Sequence, residues 1–300
     1  MPSPEHFLTG AELDARRLDL LLHRAAALKE KPRSARTLEG RTVALLFQKP
    51  STRTRTSFEA GVVEMGGHPM VLRENELQLT RGESVRDTAL VLSRHVAAIG
   101  LRTGDERELR ELAEHATVPV INMLSPNDHP CQALADLLTL REALGSLDGR
   151  VVAYVGDGNN VARSLAIVGA TAGLEVRVAA PDAYQLPPGE TEAILTDDPA
   201  AAVAGADAVY TDVWVSMSDD EAGAAARREA LAPYRLDARL LDQAKPEAFA
   251  LHCLPAHPGE EITEDVLYGD RQRIWDQAEN RRHAQKALLE LLVSSHAEDG

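Results

Sequence analysis

At 300 residues, with 44% hydrophobic and 26% charged side chains, the chain has the length of about two globular domains and ample apolar material for their cores. A net charge of −15 argues against nucleic acid or anionic membrane as the main partner, so an anionic ligand must be captured by a local basic pocket against the overall field. No apolar run reaches the length of a bilayer span, and the first residues lack the basic and apolar regions of a signal peptide. The two cysteines, Cys131 and Cys253, lack metal-ligand spacing, which leaves a reduced, cytoplasmic setting as the expectation.

Residues 10–29 set leucines among charges and read as an amphipathic helix with a packing role. Unbroken apolar runs at 42–47, 68–72, 97–101 and 118–123 read as buried strands. Helical patterns at about 54–65, 83–95 and 106–115 separate them. A helix over 131–144 then leads to a second series of strands at 150–155, 174–179, 208–211 and 249–252. Strand–helix alternation of this kind predicts two parallel-sheet α/β domains, with ligands at the carboxyl ends of the strands. Segments 181–188 and 216–224 are rich in loop formers and acids and read as loops. An amphipathic helix closes the chain from residue 274.

The turn after the first strand carries the strongest chemical signal. Pro50, Ser51, Thr52, Arg53, Thr54 and Arg55 crowd hydroxyls and guanidinium groups at a helix start. Free N–H groups and the positive end of the helix dipole point into such a turn, as a phosphate-like dianion requires. It is not a nucleotide loop, because the glycines and the Gly-Lys-Ser/Thr ending are absent. Arg102, His129 and Gln132 follow later strands and fall on the same rim, where they could polarise a carbonyl attached to the phosphate. In the second half, Gly156-Asp157-Gly158-Asn159-Asn160 follows a strand and resembles a dinucleotide turn. Val161 stands where the third glycine belongs and no acid ends the next strand, so a carboxylate-binding Asn160, or a plain cap there, is the better reading. Asp212 could pair with an ammonium group and Ser216 with a carboxylate. The His252-Cys253 pair hints at metal but lacks a second ligand pair with zinc spacing.

Taken together, Ser51-Thr52-Arg53-Thr54-Arg55, Arg102-Thr103, His129-Pro130-Cys131-Gln132, Asp212-Val213-Trp214-Val215-Ser216-Met217 and His252-Cys253-Leu254-Pro255 resemble the ornithine carbamoyltransferases, in order and spacing across nearly the whole chain. The resemblance implies a carbamoyl phosphate domain over 1–145, an ornithine domain over 146–274, an active-site cleft between them, and a C-terminal helix over 275–300 that packs back on the first domain. By the same resemblance Ser51, Thr52, Arg53 and Thr54 hold the phosphate, and Arg102, His129 and Gln132 hold the carbamoyl group. Arg281 approaches carbamoyl phosphate, and Gln78 reaches a neighbouring subunit's site in a homotrimer or a multiple of trimers. Asn160, Asp212, Ser216 and Met217 bind ornithine, and Cys253 and Leu254 sit near the δ-amine and count among the carbamoyl phosphate-binding residues. Arg102, His129 and Cys253 are the expected catalytic residues. Neither a metal nor an organic cofactor is expected. The alternative is carbamoyl transfer to another amine, N-acetylornithine or putrescine. One departure stands out: Ser218 occupies the position of a family glycine.

Overall fold

A computed structural model describes residues 4–78, 82–215 and 221–298. By its internal contacts the chain divides into a first lobe, Met1–Leu138 with Glu279–Gly300, and a second, Thr139–Ala278.

The first lobe begins with α1 (Ala15–Glu30), capped by the Asp14 carboxylate, which accepts the Arg17 N–H at 2.8 Å. There follow β1 (Thr42–Phe47), α2 (Arg53–Glu64), β2 (His68–Arg73), α3 (Val85–Leu92), β3 (Ala98–Arg102), α4 (Glu106–His115), β4 (Val120–Leu124) and α5 (Pro130–Leu144), whose last turns from Thr139 belong to the second lobe. All pairs in the sheet are parallel, in the order β2-β1-β3-β4. Val43, Ala44, Leu45 and Leu46 of β1 are buried in succession, which is why the strand reads as an apolar run rather than as an alternation. Phe7 pairs alongside Ile121 and covers the edge at β4. The order turns back between β1 and β3, so the crevice of this lobe lies beyond the carboxyl ends of those two strands.

The second lobe contains β5 (Val151–Val155), α6 (Asn160–Thr171), β6 (Glu175–Ala179), β7 (Ile194–Thr196), α7 (Pro199–Val203), β8 (Ala208–Thr211), α8 (Glu221–Leu231), α9 (Ala238–Leu241), β9 (Phe249–His252) and α10 (Glu264–Leu267). Its sheet is again parallel, ordered β7-β6-β5-β8-β9, with the reversal between β5 and β8. The last helix, α11 (Ile274–Glu298), starts in this lobe and supplies its later turns to the first.

Two sequence expectations need correction. Residues 221–224, read as loop, form the first turn of α8; the alanines that follow favour helix and carry it through Gly223. The edge strand β7 was not expected, because it has three residues and exposes Ile194 to solvent. Among the described residues, no helix is long and apolar enough to cross a membrane.

Candidate functional site

The crevice of the first lobe collects most of the residues singled out from the sequence. Ser51 and Thr52 precede α2, and Arg53 and Thr54 open it. Thr52 adopts helical dihedrals and its side chain makes no capping hydrogen bond, unlike an ordinary N-cap residue. Ser51 Oγ accepts the Thr54 N–H at 3.3 Å. The two arginines of the turn differ: Arg55 is tied to Glu59 at 3.0 Å within the helix, whereas the Arg53 guanidinium has no hydrogen bond or ion pair among the described residues.

Arg102 ends β3, in register with Phe47 of β1, and so emerges beside the 51–54 turn. A register shift in the β3–β4 pairing falls between Leu101 and Arg102. His129 is buried at the start of α5, and the Cys131 thiol behind it donates to the Asn122 carbonyl at 3.3 Å. Burial pushes the Cys131 thiol up to about 12, against a smaller opposing pull from Arg281, so it is a packed, protonated group rather than a nucleophile.

Arg281 of α11 joins these pieces from the other end of the chain. Its guanidinium is 3% exposed and donates to Gln132 Oε1 at 2.6 Å and to Thr54 Oγ1 at 3.2 Å. Gln132 Nε2 donates in turn to Asp136 Oδ1 at 2.8 Å. Two neighbouring contacts hold α11 in place: Lys29 Nζ donates to Asn280 Oδ1 at 2.8 Å, and the buried Lys286 ammonium reaches Glu64 Oε2 at 2.5 Å. Burial, then the charges of Arg281, Arg102 and Arg53, hold His129 well below the ordinary histidine range. Three cations therefore surround a neutral imidazole, an arrangement built for a multiply charged anion carrying a carbonyl. Gln78 is exposed and lies outside this cluster's hydrogen bonds.

The crevice of the second lobe holds the other set. Asn160 is the first residue of α6, and the preceding Asn159 is its cap. Asn159 Oδ1 accepts the N–H groups of Val161 and Ala162 and the Tyr154 hydroxyl, while its Nδ2 donates to Asp212 Oδ2 at 3.0 Å. Asp212, just beyond β8, is 5% exposed, and its other oxygen accepts from the Cys253 thiol at 2.8 Å. Asn159 escaped the sequence reading, although its place after a strand and before a helix was the available signal. Ser216 and Met217, with Ser218, lie outside the described residues.

Asp212, His252 and Cys253 bring ligand-type atoms within 4.8 Å of one another. Both ring nitrogens of His252 are nevertheless engaged. Nδ1 accepts the Leu254 N–H at 2.8 Å and Nε2 faces Glu261 Oε1 at 3.0 Å, so the ring offers no lone pair to a cation. Burial would raise the Glu261 carboxyl, but the hydrogen bonds from His252 and the His257 N–H outweigh it and hold the group below the ordinary value. Leu254 has φ +62°, a left-handed conformation uncommon for leucine, and the bond to His252 braces it. Nothing in the sequence pattern marked Glu261.

Two family descriptions match the chain in succession. Residues 5–142 match the profile described as the aspartate/ornithine carbamoyltransferase carbamoyl-P binding domain, and 148–292 the Asp/Orn binding domain. An ornithine carbamoyltransferase of Acidothermus cellulolyticus is 52% identical, with 97% of each chain covered. An anabolic ornithine carbamoyltransferase of Pyrococcus furiosus is 50% identical over 86% of this chain and 85% of its own. Among solved structures, ornithine carbamoyltransferase from Thermus thermophilus superposes with a TM-score of 0.90 at 44% identity, covering 97% of this chain and 100% of that one. The enzyme from Pyrococcus furiosus gives 0.92 at 45% identity, covering 97% and 98%.

Proposed function

The chain belongs to the aspartate/ornithine carbamoyltransferase family, and on that premise we propose that it transfers the carbamoyl group of carbamoyl phosphate to the δ-amine of L-ornithine, giving L-citrulline and phosphate. The observation that carries the reading is the buried His129 beside an Arg281 that bonds Thr54 and Gln132, with Arg53 and Arg102 adding their charge.

In this reading residues 1–145 form the carbamoyl phosphate domain and 146–274 the ornithine domain. The hydroxyls of Ser51 and Thr52 and the Arg53 guanidinium receive the phosphate at the α2 N-terminus. Gln132, held by Arg281 and Asp136, receives the carbamoyl amide. Ornithine's α-ammonium pairs with Asp212, and its carboxylate meets Asn160, with Ser216 and Met217 completing that half. The δ-amine, an alkylamine with a free pKa of roughly 10.4, must shed a proton before attack. Its lone pair adds to the carbonyl carbon, and the resulting oxyanion faces Arg102, His129 and Thr54. A neutral imidazole donates one hydrogen bond there without adding a fourth positive charge to the cluster. The intermediate then collapses: the carbon–oxygen bond to phosphate breaks, the surplus proton on the attacking nitrogen passes to the departing phosphate, and the phosphate leaves into the cationic turn. Cys253 positions Asp212 through its thiol, and Leu254 lies beside it. Orientation and fixed positive charge supply the acceleration, with no electron carrier involved.

The same reading includes a cytoplasmic homotrimer, or a multiple of one. Exposed apolar side chains on the first lobe, Val63, Leu90 and Val91, support self-association, and in this reading Gln78, whose side chain is exposed, serves a neighbour. Sedimentation at a mass three times 32.5 kDa, or a multiple of that, tests the assembly. Incubation with carbamoyl phosphate and, separately, ornithine, N-acetylornithine and putrescine tests the activity. Citrulline is the expected product, and preferential carbamoylation of either other amine overturns the substrate assignment.

A further inference from the structure

One charged cluster of the second lobe lies beside the ornithine half-site without belonging to it. Arg227, on α8, donates through Nη1 to Asp157 Oδ2 at 2.7 Å, and its guanidinium lies 4.5 Å from the centre of the Tyr184 ring. Both partners are partly buried, with the arginine side chain 25% and the aspartate 14% exposed. Tyr184 is itself fixed to the turn that bears Asp157, because its carbonyl accepts the Gly158 N–H at 2.8 Å. The approach is so close that a Cβ on Gly158 would stand 2.7 Å from that carbonyl oxygen and from the Leu186 nitrogen. The Asp157 carbonyl in turn accepts the Asn159 N–H at 2.7 Å, and Asn159 holds Asp212.

Asp157 therefore stands three residues ahead of Asn160, with its backbone bonded into the element that presents the half-site. An uncompensated carboxylate there would repel an incoming α-carboxylate, because a unit charge at a partly buried position is felt across several ångströms. It would also offer ornithine's α-ammonium a competing partner to Asp212. We propose that Arg227 is a positioning residue for the amino-acid substrate: it neutralises Asp157, and by bridging Asp157 and Tyr184 it holds the 156–160 turn in the geometry that receives an α-amino acid. The inference rests on the ornithine reading given above.

Steady-state kinetics of charge-altered variants test it. R227M keeps an apolar side chain that can lie over Tyr184 while removing the charge. It should raise the KM for ornithine about 10-fold and leave the KM for carbamoyl phosphate and the kcat within about two-fold. R227K, which keeps the charge, should restore most of the affinity. D157N in the R227M background should return the ornithine KM to within about three-fold of wild type, since it removes the carboxylate that the lysine or arginine compensates. A double variant as impaired as R227M alone, or an R227M enzyme with an unchanged ornithine KM, overturns the inference while the activity stands. Equal loss of affinity for both substrates overturns it too, as a general structural effect. A wild-type enzyme that makes no citrulline overturns the function reading, and this inference with it.

Discussion

Lowering the pH from 6.5 to 5.0 should destabilise the first lobe, and His129 should account for a defined part of the loss. Burial and then Arg281, Arg102 and Arg53 depress this imidazole well below 6.5 in the folded chain, whereas the unfolded chain titrates normally. The unfolded state thus takes up a proton that the folded state refuses, so stability is complete above the unfolded value and drains away as pH falls beneath it. Each pH unit over which the unfolded chain holds this proton and the folded chain does not costs about 1.4 kcal/mol. For a lobe of this size that corresponds to a fall of about 3–6 °C in Tm per such unit. His6 and His283 are lowered as well, chiefly by burial, and steepen the wild-type curve. Asp207 and Glu261, both held below their ordinary values, lose their contribution only in more acid solution, outside this window. Thermal unfolding of wild type and His129→Gln at fixed protein concentration should give curves that converge as pH falls, with the variant flatter by the His129 share. Parallel curves, or a His129 ring that titrates near 6.5 by NMR in the unliganded protein, would refute the neutral-imidazole argument.

Arg102→Ala should lower kcat about 10²- to 10³-fold, the scale of losing one oxyanion donor, and single-turnover measurements would show whether the chemical step itself slows. Asp212→Asn should raise the ornithine KM by about 10²-fold, as expected for losing a charge partner, while isothermal titration with carbamoyl phosphate remains unchanged. Gly158→Ala should destabilise the second lobe by about 1–3 kcal/mol, because its Cβ would meet backbone atoms rather than a side chain that can move. Calorimetry would register that loss as a lower Tm.

Much of the fold was legible because its strands are buried on both faces and leave uninterrupted apolar runs. The expected range 42–47 coincides with β1, and 208–211 and 249–252 coincide with β8 and β9. The three residues of β7 leave no comparable trace, since an exposed edge asks little of its side chains. The chemistry was legible where residues cluster in sequence, as at 51–55. Contacts made across distance were not: Asn159 and Asp212 are 53 residues apart, and nothing local marks the first as the anchor of the second. Glu261 is similar, because its role exists only once β9 has brought His252 over it.

The bridge from Arg281 to Thr54 and Gln132 has a consequence for biosynthesis. The first lobe's cationic pocket is completed by a residue translated only after the entire second lobe, with 227 positions separating Arg281 from Thr54. A nascent polypeptide that has folded its amino-terminal sheet still lacks this guanidinium and the α11 turns anchored through Lys286 to Glu64. On the proposed function, a ribosome-bound fragment is therefore denied the complete phosphate cradle, and competence to hold an activated carbamoyl donor arises only once the acceptor-binding half has also emerged.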